Sequence, residues 1–256
     1  MKILYLGNNW VGWQVLRWLK QQEEDVVGLV LHPPERRKYG GELLETSGLE
    51  ASRVFDGARI RHPDVLQEIR TLKADLAVSV LFGYVLKREF LTLFPKGCIN
   101  LHPALLPYNR GMNPNVWSIV EGTPSGATLH FIDEGVDTGD VVAQREVPVE
   151  PIDTGASLYH KLEQACVALF ADTWAQIRSG RASRIPQSAE AGSTHRARDI
   201  SLIDEIDLKR TYQAGKLLDV LRARTFPPYP GAYFVHNGRK VYIDVELRYE
   251  NPDEAQ

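Results

Sequence analysis

Apolar residues follow two alternating rhythms along the first half of the chain. Lys2–Leu6, Val26–Leu31 and Asp75–Leu81 are short, nearly unbroken runs rich in Val, Ile and Leu. Such runs predict strands buried on both faces, as in a parallel sheet. Between them apolar residues recur at helical spacing: Val15, Leu16 and Leu19 after Gly12, then Val65, Leu66, Ile69 and Leu72 after Pro63. A proline suits a first helical turn. Ala58–Ile60 predicts a weak short strand, and a short helix should end near Phe94. Alternating strands and helices predict an α/β fold, a Rossmann-like, doubly wound, mostly parallel sheet.

The second half keeps the rhythm and then loses it. Cys98–His102 reads as a strand running into a proline-rich loop, and Asn113–Gly122 as a short helix. Ser125–Ile132 and Val141–Val149 predict a hairpin. Leu158, Leu162, Cys166, Leu169, Phe170, Trp174 and Ile177 fall on one stripe of a long helix that Gly180 should end. Residues 181–200 are polar and suggest a linker, dividing the chain into units 1–182 and 183–256. The second unit reads as a small α/β-hairpin appendage. Its helix is expected over Leu208–Arg224, and its strands, Ala232–Val235 and Lys240–Val245, flank Asn237-Gly238, a type I′ turn signal.

Composition narrows the possible functions. A chain of 256 residues with net charge −3 is long enough for a large core and has no overall field to attract nucleic acid. Two cysteines, Cys98 and Cys166, make no disulfide framework, which suits a reducing cytoplasm. No apolar run approaches the roughly 18 residues that a membrane helix needs. The turn after Leu6 has Gly7 and Gly12 but neither a G-x-x-x-x-G-K-S/T nor a G-x-G-x-x-G pattern, so a nucleotide triphosphate or dinucleotide site is poorly supported. Asn8, Asn9 and Trp10 still leave a strand at its carboxyl end, where open α/β sheets bind ligands. The loop His32–Gly41 carries Pro, Gly and three cations, the composition of a mobile loop that could grip a phosphate or simply be solvated.

The chemistry concentrates in two places. Asn100 and His102 are two apart on a strand and so share a face. An amide and an imidazole side by side can polarise a carbonyl and move a proton. Asp137 lies in a carboxylate-rich turn after the next strand. Neighbouring strand ends would bring the three together, with Asp137 accepting a proton or holding His102 in one orientation. His130, Asp133 and Asp137 could also be drawn as metal ligands, although the apolar strand between them disfavours that reading.

The surrounding words are specific. Asn100-x-His-x-x-Leu-Leu-Pro-x-x-x-Gly111, followed by Val136-Asp-Thr-Gly139, resembles the 10-formyltetrahydrofolate-dependent formyltransferase family. Leu106-Pro-Tyr-Asn-Arg-Gly-Met-Asn-Pro-Asn-Val-Trp117 is most similar to the sugar N-formyltransferases, and the Phe-Pro-x-x-Pro-Gly-Ala phrase ending at Ala232 resembles the C-terminal segment of methionyl-tRNA and sugar formyltransferases. Ala104 stands where many relatives have Ser. The resemblance implies 10-formyltetrahydrofolate as co-substrate and no metal. It implies a reduced-folate slot between Phe82, Gly83, Tyr84, Val85, Leu86 and Asp133, Glu134, Gly135. It implies an amine acceptor reached by Asn8, Asn9, Trp10, Asn109 and Arg110, with Arg196 and Arg198 on a diphosphate. The acceptor expected is a nucleotide-linked amino sugar, and the assembly expected is a homodimer. A C-terminal part that looks too short for a tRNA-clamping domain favours the sugar. Methionyl-tRNA formylation, or a formyltetrahydrofolate hydrolase or folate-binding protein on the same fold, are the alternatives.

Overall fold

The structure, a computed structural model, describes residues 1–188 and 191–250; positions 251–256 of the expected second unit lie outside them. The first half runs β1 (Lys2–Gly7), α1 (Asn9–Gln21), β2 (Asp25–Leu31), α2 (Gly40–Ser47), β3 (Val54–Asp56), α3 (Pro63–Thr71), β4 (Leu76–Val80), α4 (Arg88–Leu91) and β5 (Cys98–His102). There follow β6 (Arg110–Gly111), α5 (Pro114–Glu121), β7 (Gly126–Phe131), β8 (Val141–Glu146) and α6 (Gly155–Arg178). The remainder is β9 (Thr194–His195), α7 (Ser201–Asp204), α8 (Ala214–Arg224) and a hairpin of β10 (Ala232–His236) and β11 (Arg239–Ile243).

Seven strands form one sheet in the order β3-β2-β1-β4-β5-β7-β8. The first five are parallel, β7 pairs antiparallel with β5, and β8 antiparallel with β7. The mostly parallel α/β sheet and the small C-terminal hairpin are therefore as the sequence predicted. The chain winds outward from β1 to β3 and returns to β4 on β1's other side. The carboxyl ends of β1 and β4 thus form the topological switch point of the sheet. There the Asn8 N–H donates to the Val80 carbonyl at 3.2 Å.

Strand alternation sorts the core into two layers. Ile3, Tyr5, Val78, Val80, Ile99, Leu101 and Leu129 face α1 and α6, packing with Val15, Leu16, Leu162, Phe170 and Trp174. Leu4, Leu6, Ala77 and Cys98 face the other way, packing with Ile69, Phe82, Leu86 and Phe90. Each such fully buried side chain stabilises by about 1.5–3 kcal/mol. Both cysteines are buried, and burial raises their thiol pKa values, as befits core residues. On the second face the apolar filling stops at the β4–β5–β7 half of the sheet. Ser79, Asn100, His102 and His130 occupy those positions instead.

Several boundaries differ from expectation. The weak strand is Val54–Asp56, not 58–60; the Asp56 carboxylate accepts from the Ala58 N–H at 2.9 Å and turns the chain there. The cationic loop is short and tethered: the Asn8 side chain accepts from the Lys38 N–H, and Arg37 Nε donates to the His32 carbonyl. It leads into α2, which the sequence reading missed. Helix α8 begins at Ala214, not Leu208. β8 stops at Glu146. The Asn237-Gly238 turn has both φ values positive, as a type I′ turn requires. Most consequentially, residues 181–200 are no free linker. Ile185 pairs with Val141, and β9 lies parallel to β6.

Candidate functional site

Asn100 sits opposite His130 in the β5–β7 register, so both project from the same face. Its amide Nδ2 donates to His130 Nε2 at 3.2 Å, and the Ser79 hydroxyl donates to its Oδ1 at 3.0 Å. His130 Nδ1 lies 2.8 Å from the Phe131 carbonyl, which can only accept. The proton of a neutral ring therefore sits on Nδ1, leaving Nε2 free to accept from Asn100. These contacts fix which way the Asn100 amide faces. Its second N–H reaches Asp137 Oδ1 at a long 3.4 Å.

His102 is buried one turn of the pleat away. Its Nε2 is 3.3 Å from the Asn109 carbonyl and 3.7 Å from Asp137 Oδ2. Both neighbours only accept, so Nε2 carries the proton of the neutral ring and Nδ1 the lone pair. Asp137 enters from the β7–β8 turn with φ +54°, a left-handed conformation that aspartate tolerates better than most residues. The Gly111 N–H donates to its Oδ2 at 2.9 Å, and His130 Nε2 lies 3.5 Å from Oδ1. The expected convergence of Asn100, His102 and Asp137 is present, and His130 completes it. Sequence reading gave His130 no part in this cluster, because its opposition to Asn100 depends on the β5–β7 register.

The charges follow from burial. Burial lowers the His102 pKa; the nearby Asp137 charge raises it and His130 lowers it again, leaving a net fall. Burial alone would raise the Asp137 pKa. The charge of His102, the contact and charge of His130 and the Gly111 N–H outweigh that and hold the carboxyl well below the usual range. At neutral pH the cluster is thus a carboxylate beside a neutral imidazole. It has an amide donor and a proton acceptor, the two requirements for acyl transfer to an amine.

The other expected site residues separate into groups. Phe82 and Leu86 are buried in the second core layer, and Tyr84 and Ile132 pack against it. The two loops expected to frame a folate therefore border one face, beside the cluster. Phe82 meets His32 edge to face at 5.1 Å, Tyr84 lies tilted against it at 5.0 Å, and Arg36 covers the Tyr84 ring. The Gly83 N–H donates to His32 Nε2, and His32 Nδ1 is buried with no partner among the described residues. An orphaned polar atom beside an aromatic wall fits a heteroaromatic ligand with its own donors and acceptors. Val85 is exposed, and its carbonyl accepts from Arg61. Asp133 is committed to its own turn, accepting from the Gly135 N–H and the Thr138 hydroxyl, whereas Glu134 is exposed. A side chain on Gly135 would meet Thr138 Oγ1 at 2.0 Å, so that glycine serves the turn rather than the close approach of a ligand.

Asn9 donates to the Tyr159 hydroxyl, and Trp10 packs on the first core layer. Asn109 is wholly buried, with Nδ2 donating to Ser118 and Thr123 and Oδ1 accepting from Ser193. It braces the central loop and offers nothing to a ligand, contrary to expectation. Arg110 is buried and bonded to Gln187 and the Ser188 carbonyl. Arg196 and Arg198 are exposed just after β9. Among the described residues no group of His, Cys, Asp and Glu is placed to hold a metal ion.

Comparison with known proteins places this geometry. Residues 1–173 match the family model described as formyl transferase, and residues 199–249 the N-formyltransferase dimerization C-terminal domain. A methionyl-tRNA formyltransferase of Symbiobacterium thermophilum is 36% identical over 91% of this chain and 72% of its own length. The structure superposes on a 4-N formyltransferase from Francisella tularensis with a TM-score of 0.84 and 27% identity, covering 97% of this chain and 98% of that one. A formyltransferase from Anoxybacillus kamchatkensis, solved with UDP-4,6-dideoxy-4-formamido-L-AltNAc and tetrahydrofolate, gives a TM-score of 0.58 and 29% identity over 79% of this chain and 89% of that one.

Both titration shifts weaken the folded state in acid. A histidine whose pKa folding lowers contributes fully above 6.5 and progressively less as the pH falls below it. Asp137 contributes fully above 3.8 and less as the pH falls toward its lower folded value. His32 is also lowered, first by burial and then by Arg36 and Arg37, and adds to the upper window. The wild type should thus lose stability to urea as the pH falls below about 6.5, and His102→Gln should show a shallower slope there. Equal slopes would disprove the burial of a neutral His102.

Proposed function

The chain belongs to the formyltransferase family, and from that premise we propose that it transfers a formyl group from 10-formyltetrahydrofolate to the primary amine of a nucleotide-linked amino sugar. The observation that carries the chemistry is the buried Asn100–His102–Asp137 cluster. The amine nitrogen attacks the formyl carbon, whose oxygen becomes negative. The long 3.4 Å contact between Asn100 and Asp137 is the one most easily exchanged for a donation to that oxygen. His102, neutral before the step, takes the proton leaving the amine. The folate N10–carbon bond then breaks, and N10 receives a proton, yielding a formamide and tetrahydrofolate. Asp137 ionises too readily to be the proton acceptor. Its role is a fixed negative charge that stabilises the imidazolium.

The folate is placed along Phe82–Leu86, with His32 Nδ1 as an added polar contact. Two observations favour the sugar acceptor. The 4-N formyltransferase fold extends over nearly the whole chain, and residues 199–249 match an N-formyltransferase C-terminal domain. Asn8–Trp10 at the switch point and the exposed Arg196 and Arg198 are the groups nearest to hand for the nucleotide. Paired, charge-assisted bonds make arginine suited to a diphosphate. Methionyl-tRNA is the second reading, favoured by the 36% identity to the Symbiobacterium enzyme. We also propose that the chain divides functionally near 182/183 and that the second unit makes a homodimer. That unit leaves Leu202, Leu208, Leu218 and Tyr242 exposed, and a lone two-stranded hairpin is marginal in water.

Three measurements test this. Asn100→Ala and His102→Ala should each lower kcat about 10²–10³-fold while the protein stays folded; near-wild-type turnover in both would remove the assignment. In a competition assay with 10-formyltetrahydrofolate as donor, nucleotide-linked amino sugars should be formylated and methionyl initiator tRNA should not. Formylation of the tRNA alone, weakening by orders of magnitude between about 50 and 200 mM salt, would transfer the acceptor assignment to tRNA. Light scattering should give twice the chain mass for the wild type and a smaller value for Leu202→Asp; a monomeric wild type would exclude the dimer.

A further inference from the structure

The segment between the two family matches, residues 174–198, crosses the central loop and the Asp137 turn. We propose that Gln187 in that segment is a positioning residue for Asp137, holding its backbone so that its carboxylate faces His102. The inference rests on the proposed formyl transfer.

The Gln187 amide is used to capacity. Nε2 donates to the Asp137 carbonyl at 2.9 Å and to the Gly139 carbonyl at 2.8 Å. Oε1 accepts from Arg110 Nε at 3.1 Å and Nη2 at 2.8 Å. A primary amide has two N–H donors and two lone pairs, and all four are engaged. Two segments far apart in sequence are thereby tied through one side chain. Arg110 stands immediately before Gly111, whose N–H holds Asp137 Oδ2 from the opposite side. The aspartate is thus gripped at its carboxylate by one strand and at its carbonyl by an amide anchored on the same strand. The grip is needed because Asp137 has a positive φ and its carboxylate is buried against two imidazoles without a cation. A shift of the turn would leave that charge facing the wrong groups.

The segment is itself held in register. The Asn109 N–H donates to the Ser193 hydroxyl, the Arg110 N–H to the Ser193 carbonyl and the Met112 N–H to the His195 carbonyl. Arg184 lies over the Phe131 ring and pairs with Asp140 at 3.6 Å. Within this span the Gln187 side chain reaches the Asp137 backbone.

Only glutamine satisfies both halves of the contact. Glutamate at 187 would keep, and strengthen, the pairing with Arg110 but would oppose carboxylate oxygens to the carbonyls of Asp137 and Gly139. The two roles therefore predict opposite results. A residue that merely anchors Arg110 would tolerate Gln187→Glu, with wild-type rate. A residue that positions Asp137 would not. The test compares steady-state formyl transfer and its pH profile in the wild type, Gln187→Glu and Gln187→Leu, with 10-formyltetrahydrofolate and the best amino-sugar acceptor. The expected result is a kcat about 10- to 100-fold lower in both variants, the range familiar from groups that orient functional side chains. KM for the folate should stay near the wild-type value. In Gln187→Leu the acid limb should move to lower pH, since His102 loses the neighbouring charge that favours its protonation. Gln187→Glu retains the Arg110 pairing, so it reports even if Gln187→Leu fails to fold. Wild-type kcat and pH profile in Gln187→Glu would overturn the inference while leaving the proposed function standing. A wild-type enzyme that transfers no formyl group would remove both.

Discussion

The structure depends on keeping one carboxylate charged in a buried place with no cation beside it. Stripping water from an ionised carboxyl is costly unless other groups replace the lost hydrogen bonds. At Asp137 the replacements are the Gly111 N–H, the Asn100 amide and the Nε2–H edge of His102. They come from the central loop and β5, and His130 of β7 orients the Asn100 amide. The arrangement of those elements can therefore be understood as what it takes to surround that charge. The mixed sheet edge contributes directly. Because β7 is antiparallel to β5, Asn100 and His130 are directly opposed, and the turn beyond β7 folds back over them.

The same requirement explains the division of the second face. Over β1, β2 and β4 it is filled by Leu, Val, Ala and Phe, as in any doubly wound sheet. Over β5 and β7 an apolar filling would leave Asp137 without donors. Polar residues there are costly only if unpaired. Ser79, Asn100 and His130 form a chain in which each donor meets an acceptor. Such a chain is rigid, because reversing the Asn100 amide would set its Oδ1 against the lone pair of His130 Nε2.

Much of this was legible in the sequence, for identifiable reasons. Strands β1, β2, β4 and β5 announce themselves as apolar runs, and α6 as a stripe from Leu158 to Ile177. Asn100 and His102 are linked by the two-residue period of a strand. Other features depend on contacts distant in sequence. Residues 181–200 look like a linker because their composition is polar, yet Gln187, Ser193 and the His195 carbonyl bond to the central loop. Asn109 looks like a ligand contact because it is polar and sits in a functional phrase. Only the fold reveals that Ser118, Thr123 and Ser193 consume its hydrogen-bonding capacity. His130 alternates correctly in sequence, but its opposition to Asn100 requires the register of β5 and β7. Strand β3 was displaced by a few residues because an aspartate cap, not an apolar boundary, ends it.

Burial and charge at His102 also bear on how an amine can react here. An amine in water carries a proton and is no nucleophile until it loses it. Asp137 favours the arrival of a cation, so the protonated amine is drawn toward the cluster. Burial acts in the opposite sense on every cation in the site, the ammonium and the imidazolium alike. The lowered His102 pKa is the visible record of that opposition. On the proposed mechanism, a site that attracts the ammonium yet disfavours keeping it charged promotes release of the proton where a neutral imidazole waits. The carboxylate beside the ring then limits the cost of accepting it. Deprotonation, attack and stabilisation of the resulting imidazolium are thus served by one buried charge.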